Sequence, residues 1–386
     1  MESKRKPRKL QLRRAWWKIN EALRYFLVEV STVHELQQYS TVREALLYKK
    51  LRRDRVKCNL CERRCIILLG NKGVCQTRIN IDGMLYTLVH GNLSALESRP
   101  IEIKPFFHYW PGSTALTFST WSCNFDCVWC QNHHLSKTAP NPANASYYDP
   151  EKIIQMAKRL GDEGLCASFQ EPTLLTEWAL PLFKLGHQQG LYCCYVSNGY
   201  LTTEALKLLK EACMDGLKID VKGDQETYAR YCGGADVEKV WKKARKAQTM
   251  GFHVEIVNLV VTSVNDDEEC LRWIIKKHLK ALGPEAPLHF TRYTPAYKFH
   301  NPSTKVETLE RAYTMAREAG VLYPYLGNVH GHKYESTYCP NCGEKLIQRR
   351  GYTIVEYRVT EDKKCPKCRR PVPIRGRHIS KWHFLL

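Results

Sequence analysis

Three cysteines, Cys123, Cys127 and Cys130, have the residue type and spacing for iron–sulfur chemistry. Three thiolates this close together cannot complete a four-ligand zinc site without a distant fourth ligand. They can each bind one iron of a 4Fe–4S cluster and leave the last iron open, which makes them the candidate catalytic residues. A structural zinc loop and three unrelated thiols are the alternatives. The aromatic Trp129, directly before the third cysteine, favours the cluster.

Eight further cysteines form two sets with the spacing of metal ligands. The C-terminal set consists of two C-x2-C pairs, Cys339 with Cys342 and Cys365 with Cys368. A hairpin-like pattern separates these pairs, which is typical of a zinc ribbon, so we expect structural zinc there, with a rubredoxin-like iron as the alternative. The N-terminal set consists of Cys58, Cys61, Cys65 and Cys75. Its spacing leaves zinc and an auxiliary iron–sulfur cluster equally open.

The six remaining cysteines lie in apolar or helical contexts, where we expect ordinary buried thiols. They are Cys166, Cys193, Cys194, Cys213, Cys232 and Cys270. Seventeen cysteines, an odd number, indicate metal ligation in a reducing compartment, so we expect a cytoplasmic protein. Apolar stretches such as 254–261 are too short to span a membrane, and the first twenty residues lack the apolar core of a secretory signal.

The elements that must position the central cysteines repeat along the chain. From Ala115 onward, short β-branched and aromatic runs alternate with helical patterns, which is typical of βα units around a parallel sheet. The predicted strands are 115–119, 165–169, 191–196, 216–221, 254–261 and 288–292, with a seventh short candidate at 322–326. The predicted helices are 150–162, 174–189, 203–213, 236–250, 267–280 and 304–319. In such a barrel the chemistry lies on the loops after the strand carboxyl ends.

The sequence therefore predicts an α/β fold, with a partial (β/α)6 TIM-type barrel at 113–330. The predicted flanking segments are a basic helical extension at 1–57, a cysteine-rich module at 58–112, and a zinc-ribbon-like module with a basic tail at 331–386. The extension is predicted to be helical because apolar residues recur at helical spacing, for example at Leu36, Val42, Leu46 and Leu47.

The formal net charge of +20 is concentrated at the two ends of the chain. Residues 1–57 carry +10 and residues 345–386 carry +9, which leaves +1 for the residues between them. Basic ends favour an acidic partner such as RNA, DNA or an acidic protein. A solvated surface that keeps the protein soluble explains the same charge equally well.

The segment Cys123-Asn-Phe-Asp-Cys127-Val-Trp-Cys130 resembles the cluster loop of the radical S-adenosylmethionine (SAM) superfamily, and more closely that of the group related to pyruvate formate-lyase activating enzyme. Residues 100–112, Pro-Ile-Glu-Ile-Lys-Pro-Phe-Phe-His-Tyr-Trp-Pro-Gly, are similar to the AmmeMemoRadiSam subgroup. The resemblance covers nearly everything from Cys58 to Pro373. It implies an enzyme in which a 4Fe–4S cluster cleaves SAM reductively, and the resulting 5'-deoxyadenosyl radical takes hydrogen from a substrate.

The resemblance also implies that the loops after the next strands contact SAM. Glu171 follows strand two, Ser197 and Asn198 follow strand three, and Asp220 and Lys222 follow strand four. The motif around Glu171 is Gln-Glu-Pro, where the subgroup has Asn-Glu-Pro. A helix-capping carboxylate, a tight turn and a surface salt bridge are the respective alternatives for the three loops. Further candidates after strands five and six are Asn265, Asp266, Arg292 and Tyr293.

The substrate is an open question at this point. The resemblance fits an unknown protein or small molecule as the substrate. It implies SAM and a one-electron donor as further partners, and we expect no association with a membrane. The loop from Cys130 to Tyr148 contains no further cysteine, so the sequence lacks a ferredoxin-like insertion there, and glycyl-radical formation is only one option. The alternatives are radical SAM modification of RNA and a non-catalytic, metal-bearing nucleic-acid adaptor.

Overall fold

The computed structural model describes residues 35–381. Six short strands come first in this part of the chain: β1 Arg43–Glu44, β2 Tyr48–Lys50, β3 Val56–Cys58, β4 Ile66–Ile67, β5 Arg78–Ile81 and β6 Met84–Thr87. They form two antiparallel sheets, in the orders β1-β6-β5 and β2-β3-β4. The N-terminal cysteines are carried by the second sheet and by the loops around it.

The predicted helical extension is wrong for residues 35–57, which form a single 3-10 turn followed by strands β1, β2 and the start of β3. Leu46, expected on the apolar face of a helix, is 57% exposed, whereas Val42 and Ala45 are buried. Strand pairing with distant residues overrides the helical spacing, because propensity is a weak signal against tertiary contacts. The rest of the predicted extension, residues 1–34, lies outside the described residues.

An eight-stranded sheet forms the centre of the fold, in the order β14-β13-β12-β11-β10-β9-β8-β7. Its strands are β7 Ala95–Pro100, β8 Thr114–Ser119, β9 Gly164–Ala167, β10 Tyr192–Ser197, β11 Gly216–Val221, β12 His253–Val260, β13 Leu288–Arg292 and β14 Pro324–Gly327. Strands β8 to β14 are all parallel, and only β7 runs antiparallel to its neighbour. The α/β prediction with a parallel sheet is confirmed, and the sheet extends beyond the predicted boundary at 113 because β7 pairs with β8.

Helices in residues 35–381 are α1 His133–Ser136, α2 Pro150–Leu160, α3 Thr176–Gln188, α4 Thr203–Glu211, α5 Gln225–Tyr231, α6 Val237–Thr249, α7 Glu268–Leu282 and α8 Val306–Glu318. Five of them begin at a residue whose side chain accepts a hydrogen bond from a backbone N–H of the first turn, which fixes where each preceding loop ends. These residues are Asp149, Thr202, Asp224, Asp236 and Asp267. No helix of this part of the chain is long and apolar enough to span a membrane.

The C-terminal residues form a small antiparallel sheet that packs near one end of the eight-stranded sheet. Its strands are β15 Thr337–Tyr338, β16 Lys345–Arg350 and β17 Thr353–Tyr357. Arg349 of β16 donates to the Phe107 carbonyl at 2.7 Å, and the Arg375 N–H donates to the His108 carbonyl at 2.8 Å. The segment before the first parallel strand therefore connects the small sheet to the eight-stranded sheet.

Candidate active site

The three central cysteines lie on the loop between β8 and α1, at the carboxyl end of the first parallel strand: Cys123, Cys127 and Cys130. The chain enters this loop through Ser122, whose φ of +69° is rare for a residue with a side chain. Trp129 is only 2% exposed and packs against the rings of Tyr231 and Phe299. This packing fixes the position of the third cysteine beside it.

Polar groups surround the central sulfur atoms. The Phe125 N–H donates to Cys123 Sγ at 3.4 Å, and Ser136 Oγ lies 3.1 Å from Cys130 Sγ. A hydrogen bond with Cys232 lowers the pKa of Cys127 to about 7. Cys232 is buried as predicted, but its contact with the loop was not foreseen. Donors to sulfur favour the thiolate form that metal binding requires, whereas burial raises the pKa of Cys123.

The distances between sulfur atoms within a set differ between the C-terminal cysteines and the central cysteines. Within residues 35–381, only Cys339, Cys342, Cys365 and Cys368 have ligand atoms that all lie within 4.8 Å of one another. In this set, two Sγ–Sγ distances are 3.5 and 3.6 Å. Four zinc–sulfur bonds of about 2.3 Å in a tetrahedron place sulfur atoms about 3.8 Å apart, so this set fits a single ion. The central three are spread more widely, as expected for ligands that each bind a different iron.

Glu171 connects the loops after the second and third parallel strands. Its Oε1 accepts hydrogen bonds from the Thr173 N–H at 3.1 Å and from Ser197 Oγ at 2.9 Å. Among the described residues, its Oε2 accepts only from the Asn198 N–H, at 2.8 Å, and so has capacity for one more donor. The capping role is therefore present, because Glu171 caps the 3-10 turn Pro172–Leu175. Burial raises the pKa of this carboxyl group against the effect of its donors.

The turn formed by Ser197, Asn198 and Gly199 reaches the cluster loop. Asn198 Nδ2 donates to Asn124 Oδ1 at 2.7 Å, next to the first central cysteine. Gly199 has a φ of +73°, and a Cβ there would meet Ile219 Cγ2 at 2.8 Å, so the turn requires glycine. This segment therefore forms a tight turn, and it also lies at the candidate site.

Asp220 lies between two lysines at the end of β11. Its carboxylate accepts from Lys218 Nζ and from Lys222 Nζ, the latter at 3.1 Å. Burial would raise the pKa of Asp220, but the two ammonium groups outweigh it and lower the pKa to about 2. The salt bridge is therefore real, but it is largely buried rather than on the surface, since Lys218 is 5% exposed.

We expect Asp220→Asn to lower the free energy of unfolding by about 3 to 5 kcal/mol, because it leaves two buried ammonium groups without their counter-charge. Urea unfolding at neutral pH measures this loss. The exposed pair of Glu226 with Arg230 offers the control, since solvent screens this pair and Glu226→Gln should leave the free energy of unfolding nearly unchanged.

The same carboxylate predicts a pH dependence. Its folded-state pKa is lowered, so its contribution is complete above the ordinary value of about 3.9 and is lost as the pH falls toward 2. Asp220→Asn should therefore flatten the stability profile in that window. Equal stability of variant and wild type at neutral pH would contradict the charge arrangement.

All eight predicted catalytic and SAM-contacting residues line one cleft at the carboxyl ends of the strands. They are Cys123, Cys127, Cys130, Glu171, Ser197, Asn198, Asp220 and Lys222. The further candidates after strands five and six do not line it. Asn265 donates to the carbonyls of Lys222 and Leu259, and Arg292 donates to the Thr304 carbonyl. These side chains stabilise the loops instead.

Sequence reasoning missed several residues of the cleft. They are Lys104, Gln131, Asn132, Lys218, Thr291 and Asn328, among others. Lys104 is 4% exposed, and its amine lies 5.0 Å from the centre of the Phe169 ring. A lysine within the apolar stretch 101–107 was the available signal, because a charge in such a stretch is rarely buried without a purpose.

Comparisons with known proteins identify the family of the chain. A parallel α/β sheet with a three-cysteine loop after its first parallel strand is the architecture expected of radical SAM enzymes. Residues 119–274 match the family model described as Radical SAM superfamily. The chain is 38% identical over 336 residues to an uncharacterized protein of Methanocaldococcus jannaschii, which covers 86% of this chain and 99% of that protein. The protein belongs to the radical SAM superfamily, so the family resemblance is confirmed.

Solved structures show weaker likenesses. A domain of pyruvate-formate lyase-activating enzyme from Bacteroides vulgatus is 19% identical, with a TM-score of 0.37, covering 43% of this chain and 99% of that chain. A radical SAM methyltransferase from Sphaerobacter thermophilus is 13% identical, with a TM-score of 0.45, covering 56% of this chain and 67% of that chain. Superfamily membership implies an enzyme that uses SAM and an iron–sulfur cluster.

Proposed function

We propose that the protein cleaves SAM in the cleft at the carboxyl ends of the barrel strands. Cys123, Cys127 and Cys130 would hold a 4Fe–4S cluster with one iron open to SAM. The cluster and SAM would together supply reductive cleavage to methionine and a 5'-deoxyadenosyl radical that takes hydrogen from the substrate. The observation that carries this proposal is the convergence of the cysteine loop with polar residues of three further loops in one cleft.

The residues around the cysteines would bind and orient SAM. Glu171 Oε2 retains one acceptor position, which suits the ammonium group of SAM. Lys218 and Lys222 share a single carboxylate, and the excess positive charge suits the SAM carboxylate or an anionic group of the substrate. Asn198 supports the cluster loop through Asn124. The apolar walls include Trp129 and would exclude water from the reaction.

Zinc is the proposed metal of the C-terminal set, in a structural role. The close sulfur atoms support this assignment, since they suit one tetrahedral ion. Hydrogen bonds from the Asn341 side chain and the Arg370 N–H lower the pKa of Cys368 to about 6. A thiolate that forms readily at neutral pH favours metal binding.

Intramolecular ion pairs weaken the argument from charge for an RNA substrate. Several basic residues near the C-terminus are paired within the molecule: Arg369 with Asp362 at 2.6 Å, Arg375 with Asp215 at 3.0 Å and Lys381 with Glu163 at 2.7 Å. These pairs neutralise part of the charge that would otherwise attract a polyanion. A protein substrate activated by radical formation is our preferred option within the proposal.

Anaerobic reconstitution with iron and sulfide tests the proposal. After reduction with dithionite, the full chain should convert SAM to 5'-deoxyadenosine and methionine in equal amounts, measured by chromatography with mass spectrometry. A non-catalytic adaptor would form neither product. Absence of both from protein that carries a reducible cluster would overturn the proposal.

A further inference from the structure

The four N-terminal cysteines line one small cavity beside the cluster loop. They are Cys58, Cys61, Cys65 and Cys75. Cys58 ends β3, the next two lie between β3 and β4, and the last lies between β4 and β5. The first, second and fourth are 6%, 6% and 7% exposed, and all four are free thiols. Four reduced thiols gathered on one buried cavity constitute a ligand set rather than a collection of core residues.

The spread of these thiols differs from that of the C-terminal set. Only the C-terminal set, within the described residues 35–381, has ligand atoms as close as 4.8 Å to one another. A single zinc ion draws its ligands to about 3.8 Å from one another. A cubane holds its thiolates farther apart, because each one binds a different iron. The N-terminal spacing therefore suits a cluster better than it suits a single ion.

Two buried donors border the same cavity. Within residues 35–381, Asn124 Nδ2 contacts only the Cys61 thiol, although Asn124 is 1% exposed. In the same part of the chain, Arg78 Nε has no partner, although Arg78 is 1% exposed. An unsatisfied buried donor costs about 1 to 3 kcal/mol, so an acceptor in the cavity is expected.

Other atoms of the Arg78 and Asn124 side chains already form hydrogen bonds. Another nitrogen of Arg78 donates to Glu177 at 2.7 Å and to the Leu174 carbonyl at 3.1 Å, which fixes the guanidinium. Asn124 Oδ1 accepts a hydrogen bond from Asn198 Nδ2, so the amide nitrogen of Asn124 faces the cysteines of the cavity. Metal-bound thiolates accept such N–H groups at a zinc site and at a cluster alike, so these donors indicate a metal-bound sulfur acceptor, and the spacing of the thiols selects the cluster.

We propose that the N-terminal cysteines hold a second 4Fe–4S cluster, with every iron bound by a protein thiolate. Such a cluster has no open iron, so it would not bind SAM in the manner of the first. Because Asn124 follows Cys123 directly, the second cluster would lie next to the loop of the first. The inference goes beyond the proposed function and does not depend on SAM cleavage.

The decisive variant carries Cys123→Ala, Cys127→Ala and Cys130→Ala in the full chain, which removes the first ligand set and leaves the N-terminal cavity intact. After anaerobic reconstitution, we expect about four iron and four sulfide per chain, compared with about eight of each in the wild type. The remaining iron should give the electron paramagnetic resonance signal of a reduced cluster. Iron-free variant protein with about two zinc per chain would overturn the inference.

A reciprocal variant separates this inference from the proposed function. Cys61→Ser with Cys75→Ser should lose about half of the iron and keep the cluster of the central loop. If wild-type protein forms no 5'-deoxyadenosine while the triple variant retains iron, the proposed function fails and the second cluster stands. If the triple variant loses all iron while wild type forms 5'-deoxyadenosine, the second cluster is ruled out and the proposed function stands.

Discussion

Cys127→Ala is expected to reduce 5'-deoxyadenosine formation below about one hundredth of the wild-type rate, because the cluster loses one of its three thiolates. The measurement is a single-turnover assay on anaerobically reconstituted protein with dithionite and SAM. Cys213→Ala is the matched control, since this thiol does not line the cleft and should leave the rate unchanged.

The result would also decide how the buried neighbour of Cys127 is interpreted. Cys232 hydrogen-bonds Cys127, so it is the thiol best placed to replace a missing ligand. A Cys127→Ala variant with full activity would show that the cluster assignment to this loop is wrong. Residual activity that disappears only when Cys232→Ala is added would reveal ligand exchange, and the loop assignment would stand.

Cys365→Ala is expected to release the proposed C-terminal zinc and to unfold strands β15 to β17 locally. Structural zinc in small modules supplies about 10 to 16 kcal/mol of folding free energy, far more than a small three-stranded sheet gains from its own core. Amide hydrogen exchange of residues 337–357 should accelerate to near the unprotected rate, and zinc content should fall by about one ion per chain.

Lys367→Ala is the control for that experiment, because this exposed residue lies in the same C-x2-C pair without offering a thiol. It should keep both zinc and protection. The strands of the barrel serve as an internal reference, since their exchange should change little in either variant. Unchanged exchange of β15 to β17 in Cys365→Ala would show that the sheet is stable without metal.

The parallel sheet could be predicted from sequence because each βα unit is a local pattern. Apolar runs such as 216–221 and 288–292 match the observed strands β11 and β13. Strand β7 was missed because it joins the sheet through antiparallel pairing, which no local pattern reveals. Strand β1 was mistaken for helix for a similar reason, since its partner β6 is distant in sequence. Strands β2 and β3 pair locally, but the helical spacing of apolar residues within 1–57 concealed their hairpin.

The sequence predicted part of the candidate site, as it predicted part of the fold. Residues that directly follow parallel strands must meet at one edge of the sheet, which placed Glu171 and Asp220 correctly in the cleft. The same rule failed for Asn265, because its amide satisfies backbone carbonyls of the loops. Lys104 could not be placed, since it enters the cleft from a segment before the first parallel strand. Position after a strand predicts proximity, but hydrogen bonding decides where a side chain is used.

Hydrogen bonds run without interruption from Glu171 through Asn198 to Asn124, and so join two βα loops to the cysteine loop. A disturbance at any member of this series is felt at the others, because none can rotate without breaking a buried contact. Asn124 also borders the N-terminal cavity. Its replacement would consequently disturb the cluster loop and the N-terminal cavity together. Any loss of activity in a variant at residue 124 therefore requires separate measurements on the two regions.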